Sequence, residues 1–258
     1  MSYEPYQPYQ VQPPQAANAA SLVIPTVIES GSRGERAYDL ISRLLRERIV
    51  LVNGMVEDQM ANLIIAELLF LASENSEREI NMYINSPGGV ITAGLAIYDT
   101  MRSIRSPIAT TCVGLAASFG TVLLMAGDPG RRYALPHARI HIHQPWTQSG
   151  PGGQVTDIEI HAREMLHTRE VMNEIMAMHT GQPLERIRHD TERDFYMSAE
   201  AARDYGIVDE VLQLEDWHAR GKRAVERVDD LHVRGCWHSS TPSSSETAQP
   251  AKITGSLL

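Results

Sequence analysis

Ser118 stands in Ala116-Ala117-Ser118-Phe119-Gly120, after an apolar strand-like run and at the head of a helix-like one. A serine on such a turn can present its hydroxyl at a sheet edge as a nucleophile, and small neighbours leave room for a base and a substrate. The run departs from G-x-S-x-G at its first glycine, where Ala116 stands, and small-residue serine turns more often serve packing or helix capping. Ser86-Pro87-Gly88-Gly89 offers a complementary part. Paired glycines ahead of a helix let backbone N–H groups face an anion, with the helix dipole assisting. A plain strand-to-helix turn explains the same residues, and the Lys and Ser/Thr of a phosphate-binding P-loop are missing.

A base for such a serine should lie on a rigid neighbouring element. In Arg139-Ile140-His141-Ile142-His143-Gln144-Pro145, strand alternation puts both histidines on the face opposite the isoleucines. Alternation leaves open which of the two is the base. No nearby carboxylate or cysteine completes the pair as a metal site. His161, His167, His179 and His189 fall on or near helices and read most simply as solvated or packed. Asp157, Asp190, Asp194 and Asp209 are each able to orient a histidine, and spacing does not choose among them.

The elements that must position these residues recur along the chain. Strand-like runs begin near 49, 80, 108 and 139, about 30 residues apart, with helix-like periods between them. This predicts an α/β domain of stacked strand-helix units with parallel strands and covering helices. Asp58 is expected to cap a helix through Met60, Leu63, Ile64, Leu68 and Leu71, and a second helix runs to about Ser103. Thr156-Asp157-Ile158-Glu159 has the form of a capping box for a long helix. Its stripe is Ile158, Ala162, Met165, Met172 and Met176, and Gly181 with Pro183 supplies the stop. A short helix near Pro183 to Arg188, another capped by Ser198, and a last strand at Ile207 to Leu212 complete the domain.

Composition narrows the function. The net charge is −9, and almost all of it lies between Leu22 and Leu214, because Met1 to Ser21 holds one acid and the segment after Leu214 balances acids with bases. An acidic body argues against nucleic acid as a partner, since phosphate binding needs clustered Lys and Arg. Cys112 and Cys236 form no CxxC or CxxH set, which disfavours a disulfide framework and fits a reducing, cytoplasmic location. The opening MSYEPYQPYQVQPPQAANAA lacks the basic and apolar regions of a secretory signal. Residues 1–21 are therefore expected to be a disordered leader open to processing, 22–214 the folded domain, and 215–258 a largely disordered extension with a short charged helix at Trp217 to Arg234. Pro107 to Gly127 is uncharged and long enough to span a bilayer, but its glycines and threonines suit a buried strand, turn and helix; no membrane association is expected.

The runs SRGERAYDLISRLLRERIVLVNG, INMYINSPGGVITAGLAIYDTM, GLAASFG, ARIHIHQP, TDIEIHARE and RHDTERDFYMSAEAARDYGIVDEV occur in this order. Together they resemble the proteolytic subunit of the Clp protease, the ClpP family of serine peptidases, over about Leu22 to Leu212. The resemblance implies Ser118 as nucleophile, His143 before Gln-Pro as general base with His141 as its strand neighbour, and Asp194 as the carboxylate that fixes the tautomer. It also implies the Gly89 and Phe119 amides as oxyanion donors. The fold it implies is a ClpP/crotonase-like spiral of repeated strand-strand-helix units with a protruding handle helix, the role then expected of the long helix. It implies two stacked seven-membered rings of this subunit or a paralogue, acting on unfolded proteins in protein quality control. An ATP-driven Clp-type unfoldase of the AAA+ class would feed the chamber. No cofactor is expected in this chain, and ATP belongs to the partner, because no Walker motif is present.

Several residues depart from the family pattern. Leu115 and Phe119 flank the nucleophile in place of a usual glutamine and methionine, and Phe119 is expected to reshape the specificity pocket. Trp146 to Gln154 is about two residues longer than the usual handle turn. On the unfoldase-docking face Tyr83 is retained, but Asn81 and Ser103 replace aromatics, which suggests a mixed barrel with a better-docking paralogue. The competing readings are a catalytically weak or inactive scaffold subunit of such a barrel and a crotonase-like acyl-CoA enzyme, which would not need the Ser118, His143 and Asp194 set.

Overall fold

The computed structural model describes residues 24–31, 34–146 and 153–213. The leader, the C-terminal extension and most of the Trp146 to Gln154 turn lie outside the described residues. An antiparallel hairpin, β1 (Thr26–Gly31) and β2 (Gly34–Asp39), is followed by α1 (Leu40–Arg46). The body then runs β3 (Ile49–Asn53), α2 (Asp58–Glu74), β4 (Ile80–Ser86), α3 (Ile91–Ser103), β5 (Ile108–Ala117), α4 (Phe119–Met125) and β6 (Arg132–Ala134). It continues through β7 (Arg139–Ile142), α5 (Val155–Thr180), α6 (Leu184–Asp190), β8 (Phe195–Ser198), α7 (Ala199–Tyr205) and β9 (Glu210–Val211).

The sheet order is β3-β4-β5-β6-β9, all parallel, with β7 parallel to β5 and antiparallel to β8. β5 is the branch point. Its first half, Thr110 to Cys112, pairs with β6, and its second half, Leu115 to Ala117, pairs with β7. Gly114 lies between the halves at φ +89°, a left-handed conformation that costs glycine little and lets the strand change partners. This splitting accords with the spiral of strand-strand-helix repeats that the resemblance implies, in a mixed α/β fold with seven helices among its described residues.

The apolar periodicity explains the layers. Ile80, Met82 and Ile84 alternate into the core from β4, while Ala61, Ile64, Leu68 and Leu71 form the inward stripe of α2. The first five residues of β5 and all of α4 are buried, so the uncharged Pro107 to Gly127 stretch is a central strand and an internal helix. Among the described residues no helix is long and apolar enough to cross a membrane.

Some local expectations shift. Asp58 is the first helical residue of α2, and Glu57 holds the cap position without a side-chain bond. The capping box of α5 is formed by Gln154 and Asp157, not by Thr156, because the helix begins at Val155. Gly181 ends that helix in the left-handed conformation, as expected. Of the expected stripe on α5 only Met172 and Met176 are buried. Ile158, Ile160 and Leu166 are exposed, so the N-terminal part of this 26-residue helix stands off the body as a handle. The last strand shrinks to Glu210–Val211, since Ile207 and Val208 instead bond back to the end of α7.

Candidate active site

Ser118 sits between β5 and α4 with φ +53° and ψ −123°, a backbone conformation that side chains other than glycine rarely adopt. Such strain costs on the order of 1–3 kcal/mol and persists only where surroundings enforce it. Here the enforcement is visible. The Ser118 N–H donates to the His141 carbonyl at 2.9 Å, and Thr121 N–H donates to the Ser118 carbonyl at 3.0 Å. Thr121 Oγ1, fully buried, lies 2.8 Å from the carbonyl oxygens of both Ala116 and His141. One threonine hydroxyl therefore ties the strand that ends at the serine to the strand that carries the histidines. Nothing in the local pattern singles Thr121 out, since the partner that matters to the site, the His141 carbonyl, lies 20 residues further along the chain.

The Gly88-Gly89 turn closes on the same point. Gly88 has φ +88°, and a Cβ there would lie 2.6 Å from Ser118 Cβ and 2.9 Å from the Phe119 nitrogen. Val56 bridges the turn by donating to Gly88 O at 2.9 Å and accepting from Val90 N–H at 2.7 Å. In a parallel bridge of this form the N–H of the intervening residue, Gly89, points away from Val56. A Cβ on Gly89 would collide with the Val56 carbonyl, so the second glycine is required by close approach. Ser86 Oγ accepts from Gly88 N–H and donates to Gly54 O, fixing the turn from beneath.

Ser118 and His143 line one cleft with Ile91, Phe119, Ile142, Pro145, Met172 and Met176. The Phe119 ring is buried against Gly94 of α3, so it forms the floor of this cleft while its amide stays at the turn. Trp146, beside the base in sequence, is largely exposed. His143 is held below the ordinary imidazole range, first by burial and then by the neighbouring His141; Asp194 and a backbone bond at Gln144 oppose this. A neutral imidazole is the form a general base needs. Cys112, the other nucleophile type nearby in β5, is buried with its thiol pushed up to about 12, which leaves it protonated and inert.

The acids sort themselves by contact. Asp209 pairs with Arg132, Asp190 accepts from the Tyr205 hydroxyl at 2.9 Å, and Asp157 caps α5. Asp194 alone of the four reaches the histidine pair, and its Oδ1 lies 3.2 Å from Nε2 of His141, not from His143. The β7–β8 register places Arg139 opposite Ser198 and His141 opposite Tyr196. Continued one residue beyond its last pair, Ile142 opposite Phe195, the register brings His143 to Asp194.

A protein-family model described as Clp protease matches residues 32–215. That stretch, well over half of the chain, takes in every element from β2 to β9, including the serine turn, the glycine turn and the histidine strand. The chain therefore belongs to the Clp protease family, a family of peptidases.

Proposed function

We propose that this chain is a serine endopeptidase subunit of a self-compartmentalised barrel, cleaving unfolded polypeptides delivered by an ATP-driven Clp-type unfoldase. The observation that carries the reading is the strained Ser118 turn, facing His143 across one cleft and flanked by two glycine-dependent amides. In this mechanism Ser118 Oγ attacks the peptide carbonyl while His143 takes its proton. The Gly89 and Phe119 N–H groups receive the developing oxyanion, a contribution of about 10²–10³ in rate for each donor. Asp194 turns to His143 to stabilise the imidazolium, and His143 then gives its proton to the leaving amine. Water, activated by the same histidine, releases the acyl group. The apolar cleft wall favours apolar side chains next to the cut bond.

The exposed apolar residues of the handle suit contact with another subunit, and the chamber would make cleavage selective through access rather than through sequence. Hydrolysis of a fluorogenic peptide and of an unfolded protein, by the assembled wild type and by Ser118→Ala, His143→Ala and Asp194→Asn, tests this function. The first two variants are expected to lose activity by at least about 10³, and full activity in Ser118→Ala would contradict it. One observation favours the scaffold reading: the Asp194 contact is with His141. A scaffold subunit would show no Ser118-dependent turnover even with a paralogue and unfoldase present.

A further inference from the structure

The face that carries the base holds a second histidine that the peptidase mechanism leaves unused. His141 is 8% exposed, and its ring stacks with that of Tyr196 at 4.1 Å and with that of His143 at 5.0 Å, nearly parallel to both. The Asp194 side chain is 67% exposed and bonded to His141 Nε2. We propose that His141 is a positioning residue that competes with His143 for the Asp194 carboxylate and so sets how much of the subunit has a complete triad. The proposal rests on the serine-peptidase reading given above.

The asymmetry of burial decides which partner moves. His141 is buried and stacked with two rings, and its own carbonyl is held by Ser118 N–H and Thr121, whereas the exposed carboxylate can rotate about its side-chain torsions at little cost. The β7–β8 register ends at Ile142 opposite Phe195, and His143 and Asp194 are the residues that follow and precede that pair; the carboxylate bonded to His141 also acts on His143 through its charge. Asp194 therefore has two stations on the same face, and the observed one leaves the base without its carboxylate.

Around His141 stand Asp194, just before β8, Tyr196 of β8 and His143, just after β7; Ala117 of β5 lies opposite it, and Thr121 of α4 bonds its carbonyl. The hydrogen bond between the His141 ring and the Asp194 carboxylate holds that carboxylate away from the base.

The test is steady-state peptide hydrolysis by the assembled protein at pH 8, comparing wild type with His141→Leu, which removes the competing donor, and His141→Gln, which keeps one, each also in the Asp194→Asn background. His141→Leu is expected to raise kcat by about twofold or more, with KM changed by less than about twofold, and the gain should vanish in His141→Gln and in the Asp194→Asn background. A kcat that is unchanged or lower in His141→Leu, or a gain that persists with Asp194→Asn, overturns the proposal. If His141→Leu does not assemble, His141→Ala decides by the same comparison. Activity that survives Ser118→Ala would instead sink the serine-peptidase reading, whatever His141 does.

Discussion

Replacing Thr121 by valine probes the joint between nucleophile and base without opening a cavity, because the two side chains are nearly the same shape. Thr121 is fully buried, and its hydroxyl lies 2.8 Å from the carbonyls of Ala116 and His141. Both carbonyls keep backbone partners, Ser118 N–H for His141 and the β5–β7 ladder for Ala116, so the substitution removes the hydroxyl bond without leaving a bare acceptor. The net loss of such a buried bond costs about 0.5–1.5 kcal/mol. For a domain of this size each kcal/mol lowers Tm by roughly 2–4 °C, so a fall of about 1–6 °C is expected. The catalytic effect should be larger, because misplacement by about 1 Å can cost on the order of 10² in rate. The assay is steady-state hydrolysis of a fluorogenic peptide alongside calorimetry. We expect kcat to fall by about 10–100-fold with KM within about threefold, and Thr121→Ser to restore most of it by returning the hydroxyl. A Thr121→Val enzyme with kcat within about twofold of wild type, despite the expected fall in Tm, would refute the idea that this hydroxyl sets the geometry.

Gly88→Ala should leave the sheet intact but cut kcat by about 10² or more, since its Cβ would lie 2.6 Å from Ser118 Cβ at a backbone angle of +88°; circular dichroism with peptide hydrolysis checks both halves. A panel of peptides differing at the residue before the cut should show apolar side chains preferred over acidic ones, in keeping with Ile91, Ile142, Met172 and Met176 in the cleft wall. His179 is pushed down to about 4 by burial, then by Arg102 and Arg132, and its Nε2 lies 2.9 Å from the Tyr98 hydroxyl. An unfolded histidine takes a proton near ~6.5, so this group's contribution is full above that pH and is lost as pH falls towards about 4. After allowance for partial solvent screening the loss is on the order of 1–2 kcal/mol. Denaturant titrations at pH 4.5 and 7 should show it in the wild type and not in His179→Gln.

The parts of the site that depend on local order were legible in the sequence. Ser118 stands where a strand run gives way to a helix run, Gly88-Gly89 precedes a helix, and alternation alone puts both histidines on one face. Their convergence was not legible, because it depends on β5 changing partners at Gly114, a tertiary event. Thr121 carries no such signal, because an apolar helix with one threonine looks like any buried helix. β6 was hidden by Arg132, whose charge disguises a buried strand until Asp209 is seen beside it. β8 was hidden by its brevity and by the polar residues before it. The β1–β2 hairpin has a mostly exposed second strand, which removes the alternation that marks a half-buried one.

The central claim is that Ser118 is an activated nucleophile, and the mass of the covalent adduct formed with a fluorophosphonate tests it most directly. The assembled protein should gain one adduct per active subunit, mapped by peptide fragmentation to Ser118 and abolished in both Ser118→Ala and His143→Ala. An adduct on another residue, or one retained at full yield in Ser118→Ala, would contradict the account.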